Sequence, residues 1–263
     1  MGLYFKETGS RNAETIIFLH GGAMAGWVWE KQVKEFDDYH CIVPDLPEHG
    51  KSIDVKPFSI NKSAEMIADM IHDHTSNGKA HLVGISLGAQ IIIQILSKTP
   101  ELIDHAIISG TLVHRISNTE SLLKLLEYAT EVYKPVKNTD FFIKANMRTY
   151  NMPKIFFDKF KESTLLIKND SLNRVLKENM IFKRPDGLEK IEIPVLVMTG
   201  EKDYKVIKES ADVLLNLLPL SEGYEAPKVG HAWNLEDTIK FNWVIRRWIT
   251  NNSVKDNSLT CKY

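Results

Sequence analysis

Three residues of this chain carry side chains that together can perform acyl transfer: Ser86, Asp203 and His231. Ser86 is the centre of Gly84-Ile85-Ser86-Leu87-Gly88, which follows the apolar run 80–83 and opens a long apolar helical pattern. Gly-x-Ser-x-Gly between a strand and a helix is the pattern of a nucleophile elbow, a sharp turn that lifts the serine hydroxyl out of the sheet. The glycines have a physical task there, because so tight a turn brings strand and helix backbones too close for Cβ atoms. The helix that follows would set its N-terminal dipole and unpaired amides beside the serine, favouring negative charge at that point. A small-residue turn also serves ordinary α/β architecture, so the motif gains its meaning from partners. Acyl transfer needs a base to take the serine proton and a carboxylate to hold that base in the right tautomer. Asp203 closes Thr199-Gly200-Glu201-Lys202-Asp203 directly after the apolar run 193–198, and His231 lies in the loop Gly230-His231-Ala232-Trp233-Asn234.

The elements that must position these residues follow from the hydrophobic pattern. Residues 15–19 form a β-branched and aromatic run that ends at His20-Gly21-Gly22, a buried strand entering a glycine loop. For a serine on an elbow, the loop after an early strand and the residue after the nucleophile supply the backbone N–H groups of an oxyanion hole, which by position are Gly22 and Leu87. Taken alone, Gly21-Gly22 merely makes a turn. A helical stretch through Phe36, a strand around 41–43 and the loop Asp45-Leu46-Pro47-Glu48-His49-Gly50-Lys51-Ser52 come next. A helix over 61–76 follows, with Ala64, Ile67, Ala68 and Ile71 on one face. His72 and His74, two residues apart on it, point in different directions and are expected to be solvated, as is His49 in its loop. Residues 87–97 form a helix buried against a sheet and 105–109 another strand, an alternation that implies parallel pairing. Residues 111–190 break that rhythm with helical segments and the aromatics Phe141, Phe142, Tyr150, Phe156 and Phe157, an expected helical cap inserted into a core made of 1–110 and 191–263. Phe141, Phe142, Phe156, Phe157 and Trp233 are the candidate pocket lining, although some of these aromatics must form the cap's own core. The sheet resumes at 193–198; a helix over 207–218, a strand through Tyr224 and a terminal helix over 237–249 complete it, and the polar residues 251–263 are expected to fray.

The chain has 263 residues, 43% of them hydrophobic, enough for one sizeable α/β core. Its net charge is −1 with both signs scattered, which argues against a nucleic-acid partner, since phosphate binding needs a concentrated basic face. Cys41 and Cys261 suggest neither a disulfide framework nor a metal motif, and a reducing, cytoplasmic setting is the simplest fit. The first 21 residues lack the apolar core of a signal peptide, no stretch approaches membrane-spanning length, and Lys6 stands where a myristoylation site needs Ser or Thr.

In its HGG loop, its 45–52 segment, GISLG, IPVLVMTGEKD and GHAWN, the chain resembles the α/β-hydrolase superfamily over essentially its whole length. The order Ser86, Asp203, His231 is the order of that superfamily's triad. The resemblance implies a mostly parallel sheet of about eight strands flanked by helices, a cap over the strands' C-terminal edge, Ser86 as nucleophile, His231 as general base and acid, and Asp203 as its orienting carboxylate. His20 matches a loop histidine whose role in relatives is structural. Glu48 departs from the pattern, standing where relatives often have glycine, which puts the local loop shape in doubt. A serine in the elbow excludes the epoxide hydrolases and haloalkane dehalogenases of this fold, which use aspartate there. Ala232, where hydroxynitrile lyases place a lysine, disfavours that class. A carboxylesterase is the first expectation because it needs only the triad and an apolar pocket; lactonase, C–C bond hydrolase, thioesterase and acyltransferase remain, as does a non-enzymatic small-molecule receptor on this fold. The expected partner is a small acyl compound, with neither cofactor nor metal, in a monomer or homodimer.

Overall fold

The runs Thr15–Leu19, His40–Pro44, Ala80–Ile85 and Val195–Gly200 are buried along their whole length, as strands covered on both faces are. They are β2, β3, β4 and β6 of the sheet in a computed structural model that describes residues 2–113 and 119–254. β1 (Phe5–Thr8), β5 (Ile103–Ser109) and β7 (Ser221–Ala226) complete it. The order is β1-β3-β2-β4-β5-β6-β7. Every neighbouring pair is parallel except β1 with β3. The described residues thus form seven strands, where the resemblance implies about eight. The edge strand β1 alternates half-buried and exposed residues and contains no apolar run, so the sequence gives it little signal.

Strand alternation sends successive side chains to opposite faces, and each face has its own core. Ile17, Leu19, Ile42 and Leu82 pack with α2 (Ile60–His74), α3 (Leu87–Lys98) and α8 (Lys205–Leu217). Ile16, Phe18, Cys41 and Val83 pack with Trp29, which directly precedes α1 (Glu30–Glu35), with Trp233 at the start of α9 (Trp233–Glu236), and with Phe241 and Trp248 of α10 (Thr238–Asn251). Ser59 caps α2 by accepting from the Lys62 N–H, and Asp237 caps α10 by accepting from Lys240 N–H, each satisfying a donor that the first helical turn leaves free. The chain passes from β2 to β3 on one side and returns to β4 on the other, so the C-terminal ends of β2 and β4 flank a topological switch point, where open α/β sheets bind ligands. No helix among the described residues is long and apolar enough to cross a membrane.

Among the described residues four α-helices lie between β5 and β6: α4 (Thr119–Tyr133), α5 (Asp140–Thr149), α6 (Phe157–Leu166) and α7 (Asn169–Ile181). Residues 114–118, inside the segment expected to form the cap, lie outside the described residues, as do Cys261 and the tail 255–263. α7 is fastened to the rest of the chain through side chains. Asn179 Nδ2 donates to Gln90 Oε1 of α3, Gln90 Nε2 donates to the Asn179 backbone carbonyl, and Glu178 accepts from the Ile60 N–H at the start of α2.

Glu48 supplies a third attachment, and it changes more than the loop shape. Its backbone sits at φ 63°, a conformation that suits the glycine of relatives. Its carboxylate is fully buried and accepts from Arg174 Nε at 2.8 Å, from Ser171 Oγ at 3.1 Å and from the Phe58 N–H at 3.0 Å. Burial pushes this carboxyl up, but Arg174 and the Phe58 N–H outweigh burial and hold it below the usual carboxylate range. Two expectations about histidines are corrected. His49 is buried, with Nδ1 donating to the Pro47 carbonyl and Nε2 accepting from the Ala23 N–H. His74 packs edge-on against Phe5 of β1, a contact that follows from the edge strand the sequence conceals, whereas His72 is exposed.

Candidate active site

β4 ends at Ile85, α3 begins at Leu87, and Ser86 alone makes the turn between them. Its φ of 54° and ψ of −112° are strained for a residue with a Cβ. The surrounding structure imposes that conformation: the Ser86 N–H donates to the Ser109 carbonyl at the end of β5, and its carbonyl accepts from the Gln90 N–H. Both flanking glycines are required by space. A Cβ on Gly84 would lie 2.7 Å from the Gly88 carbonyl carbon, and one on Gly88 would lie 2.3 Å from the Leu19 oxygen. Those contacts are with backbone, which has nowhere to go.

Asp203 and His231 come from loops after β6 and β7, and the structure joins them. His231 Nδ1 lies 3.0 Å from Asp203 Oδ1 and 3.3 Å from Oδ2. An ionised carboxylate only accepts, so the ring carries its proton on Nδ1 and leaves Nε2 as a lone-pair acceptor. The Asp203 side chain is fully buried and also accepts from the Tyr204 N–H. His231 and Ser86 line one cavity, and no Ser86–His231 hydrogen bond is found among the described residues. A residue absent from the sequence reasoning keeps room for the imidazole: Gly110, just past β5, has φ +60°, and a Cβ there would stand 2.9 Å from His231 Cε1 and 3.4 Å from Asp203 Oδ2. Its signal in the sequence is a glycine at the C-terminal end of an apolar strand.

Gly22 and Leu87 are neighbours, since a Cβ on Gly22 would be 3.8 Å from Leu87 Cδ2. The Leu87 N–H is at the first position of α3, where no intrahelical acceptor exists. Two buried histidines hold the loop that carries Gly22. His20 donates from Nδ1 to the Gly21 carbonyl and accepts on Nε2 from the Leu46 N–H. His49 accepts from the N–H of Ala23, the residue after Gly22, which sits at φ 58°. Burial pushes His20 down to about 4; burial and the neighbouring His20 ring push His49 down to about 3.

The cavity over Ser86 has a volume of about 650 Å³, within the range of small-molecule sites. Met24 and Val28 from the core and Leu172, Val175 and Leu176 from α7 line it. Of the candidate aromatics, Phe141 and Phe142 line it, with Phe141, 83% exposed, at the rim. Tyr133, Tyr150 and Phe160 line it as well, and the Tyr150 ring lies 6.3 Å from that of His231. Phe156, Phe157 and Trp233 do not. Phe156 packs on Trp27, Phe157 carries the ammonium groups of Lys144 and Lys161 over its ring, and Trp233 is a buried core residue whose indole N–H donates to Ser109 Oγ.

A family model described as the alpha/beta hydrolase fold matches residues 14–141. The chain has the α/β-hydrolase fold. An AB hydrolase superfamily protein of Gibberella zeae is 24% identical over 262 residues, 96% of this chain and 86% of its own length. Lipase 1 of Psychrobacter immobilis is 25% identical over 88% of this chain and 75% of its own. Among solved structures, an esterase from Exiguobacterium antarcticum superposes with a TM-score of 0.81 at 20% identity, covering 95% of this chain and 96% of the esterase. At that identity the likeness speaks for the fold alone.

Proposed function

We propose that this protein is a serine hydrolase that cleaves carboxylic esters through an acyl-enzyme intermediate, with Ser86, His231 and Asp203 as its triad. The observation that carries this reading is His231, held through Nδ1 by Asp203, lining the same cavity as a serine on a strained elbow. Ser86 Oγ attacks the substrate carbonyl carbon while His231 Nε2 takes its proton, and the carbonyl oxygen becomes an oxyanion facing the N–H groups of Gly22 and Leu87. Collapse expels the alcohol, protonated by His231. Water then attacks the acyl-enzyme, giving its proton to His231, which returns it to Ser86 as the acid leaves. Asp203 keeps the ring oriented and stabilises the imidazolium, without taking the proton. The chemistry calls for no cofactor.

The helices α4 to α7 act in this reading as a cap that closes the cavity and selects the acyl group. Aromatic and aliphatic walls around some 650 Å³ favour medium acyl chains or aromatic esters over acetate. The relative named as a lipase supports this reaction class. A panel of p-nitrophenyl esters of graded chain length tests it. Ser86→Ala is expected to remove turnover by roughly a millionfold with the fold intact, and Asp203→Asn to lower it roughly ten-thousandfold. Substantial ester turnover by a Ser86→Ala preparation free of contaminating esterase would overturn the assignment.

A further inference from the structure

The cavity over Ser86 is apolar on most of its wall, but its charged groups are distributed unevenly. Among the described residues that line it there is no aspartate or glutamate, and apart from His231 the single ionisable cationic side chain is Lys137. Lys137 lies between α4 and α5, so its ammonium belongs to the wall built by the inserted helices, whereas Ser86 sits in the turn after β4. Its acceptors are neutral: the Ile167 carbonyl at 3.3 Å and Asn169 Oδ1. Burial, with the nearby Lys134 charge, holds this ammonium below the usual lysine range. The side chain is half-buried rather than enclosed, and no carboxylate on the cavity wall offsets its charge. Two of its three N–H groups are occupied, and the third is left for a ligand.

Asn169 supplies a second, independent observation. Because an ammonium only donates, the amide oxygen must face Lys137, which leaves the Asn169 NH₂ on the other side. That nitrogen is buried and has no hydrogen-bond partner, although Asn169 itself lines the cavity. A cation and the asparagine that binds it therefore sit together on one wall of an otherwise apolar chamber, with the unpartnered amide nitrogen covered until that side chain turns.

We propose that Lys137 and Asn169 form an anion subsite, and that the substrate is an ester whose acyl chain carries a carboxylate at the end remote from the scissile bond. One carboxylate oxygen takes the free Lys137 N–H and the other is met by Asn169 Nδ2 once that side chain turns towards the cavity, while the methylenes between carboxylate and ester occupy the aliphatic and aromatic walls. A single cation without a guanidinium fork matches a monoanion; a phosphate dianion would demand further positive charge. The proposal rests on Ser86 being the nucleophile only for the identity of the scissile bond, because the anion subsite can be read by binding alone.

The test compares p-nitrophenyl half-esters of the C5 to C8 straight-chain dicarboxylic acids with p-nitrophenyl esters of monocarboxylic acids of the same chain length. The wild-type protein is expected to favour the anionic member of at least one pair in kcat/KM. Lys137→Gln, which keeps a donor for Ile167 and Asn169, should lower the anionic-to-neutral ratio by about tenfold or more, mostly through KM, as loss of a charge-assisted hydrogen bond implies. Lys137→Arg should restore much of the ratio. A wild-type preference for the neutral member in every pair, or a Lys137→Gln ratio equal to that of the wild type, would overturn the proposal. Calorimetric binding of the free C5 to C8 dicarboxylates to Ser86→Ala, with and without Lys137→Gln, separates the two readings: binding that depends on Lys137 supports the subsite even if ester turnover proves independent of Ser86, and equal or absent binding in both proteins overturns it.

Discussion

Replacing His49 by glutamine is expected to make the protein markedly less sensitive to mild acid. His20 and His49 are both fully buried, their ring centroids 5.1 Å apart, and each uses Nε2 to accept a backbone N–H, so neither ring can take a proton without setting two donors against each other. Their values of about 4 and about 3 in the folded chain lie below the ordinary 6.5, with burial as the main cause and, for His49, the His20 ring next. The unfolded chain therefore binds protons that the folded one refuses. Stability is complete above pH 6.5 and falls as the pH drops from there towards the folded values. Between pH 7.5 and pH 5.5 each ring loses about 1.4 kcal/mol, from RT ln(1 + 10) at one unit below 6.5. At pH 5.5 that figure hardly depends on the folded values, since both lie well over a unit lower. Glutamine offers one acceptor for the Ala23 N–H and one donor for the Pro47 carbonyl, without titrating. Urea unfolding followed by tryptophan fluorescence at the two pH values measures the loss for both proteins, and the variant's should be smaller by about 1.4 kcal/mol. Other acid-sensitive groups, such as His81, remain in both and cancel. An equal loss in wild type and His49→Gln would refute the reasoning and mean that His49 is already protonated or solvated near neutrality.

Gly110→Ala is expected to lower kcat by about tenfold to a hundredfold with a smaller change in KM, because its Cβ would stand 2.9 Å from His231 Cε1 and push the imidazole off line; kinetics on the folded variant check this, and wild-type kcat would show that the ring has slack. Phe142→Ala should flatten the acyl chain-length preference, measured over the p-nitrophenyl series, while Phe157→Ala, outside the cavity, should leave it. Each buried methylene contributes about 0.8 kcal/mol, so two of them correspond to roughly tenfold in kcat/KM.

The strands 15–19, 41–43 and 105–109 and the helices over 61–76 and 207–218 are legible in the sequence, because burial on both faces leaves continuous apolar runs and burial on one face leaves a helical period. The observed elements differ from these by a few residues at their ends. The turn at Ser86 is legible too, since a strand that must enter a helix within one residue needs glycine on both sides, and that requirement is written locally. β1 is hidden, being a four-residue edge strand whose pairing with β3 is a tertiary fact.

Only the tertiary structure decides what lies around the elbow. Glu48 looks like a departure in a surface loop until Arg174, 126 residues later, is brought to it. His49 looks solvated until Ala23 and Phe58 enclose it. Phe141 and Phe142 reach the cavity while Phe156 and Phe157 do not, though composition makes the pairs equivalent, because Phe156 is used up against Trp27 and Phe157 beneath the ammonium groups of Lys144 and Lys161. Short-range patterns record how a segment satisfies its own backbone and which residues avoid water. Which distant side chain completes a charge, a ring contact or a cavity wall depends on the docking of whole elements, and the sequence carries no local trace of that.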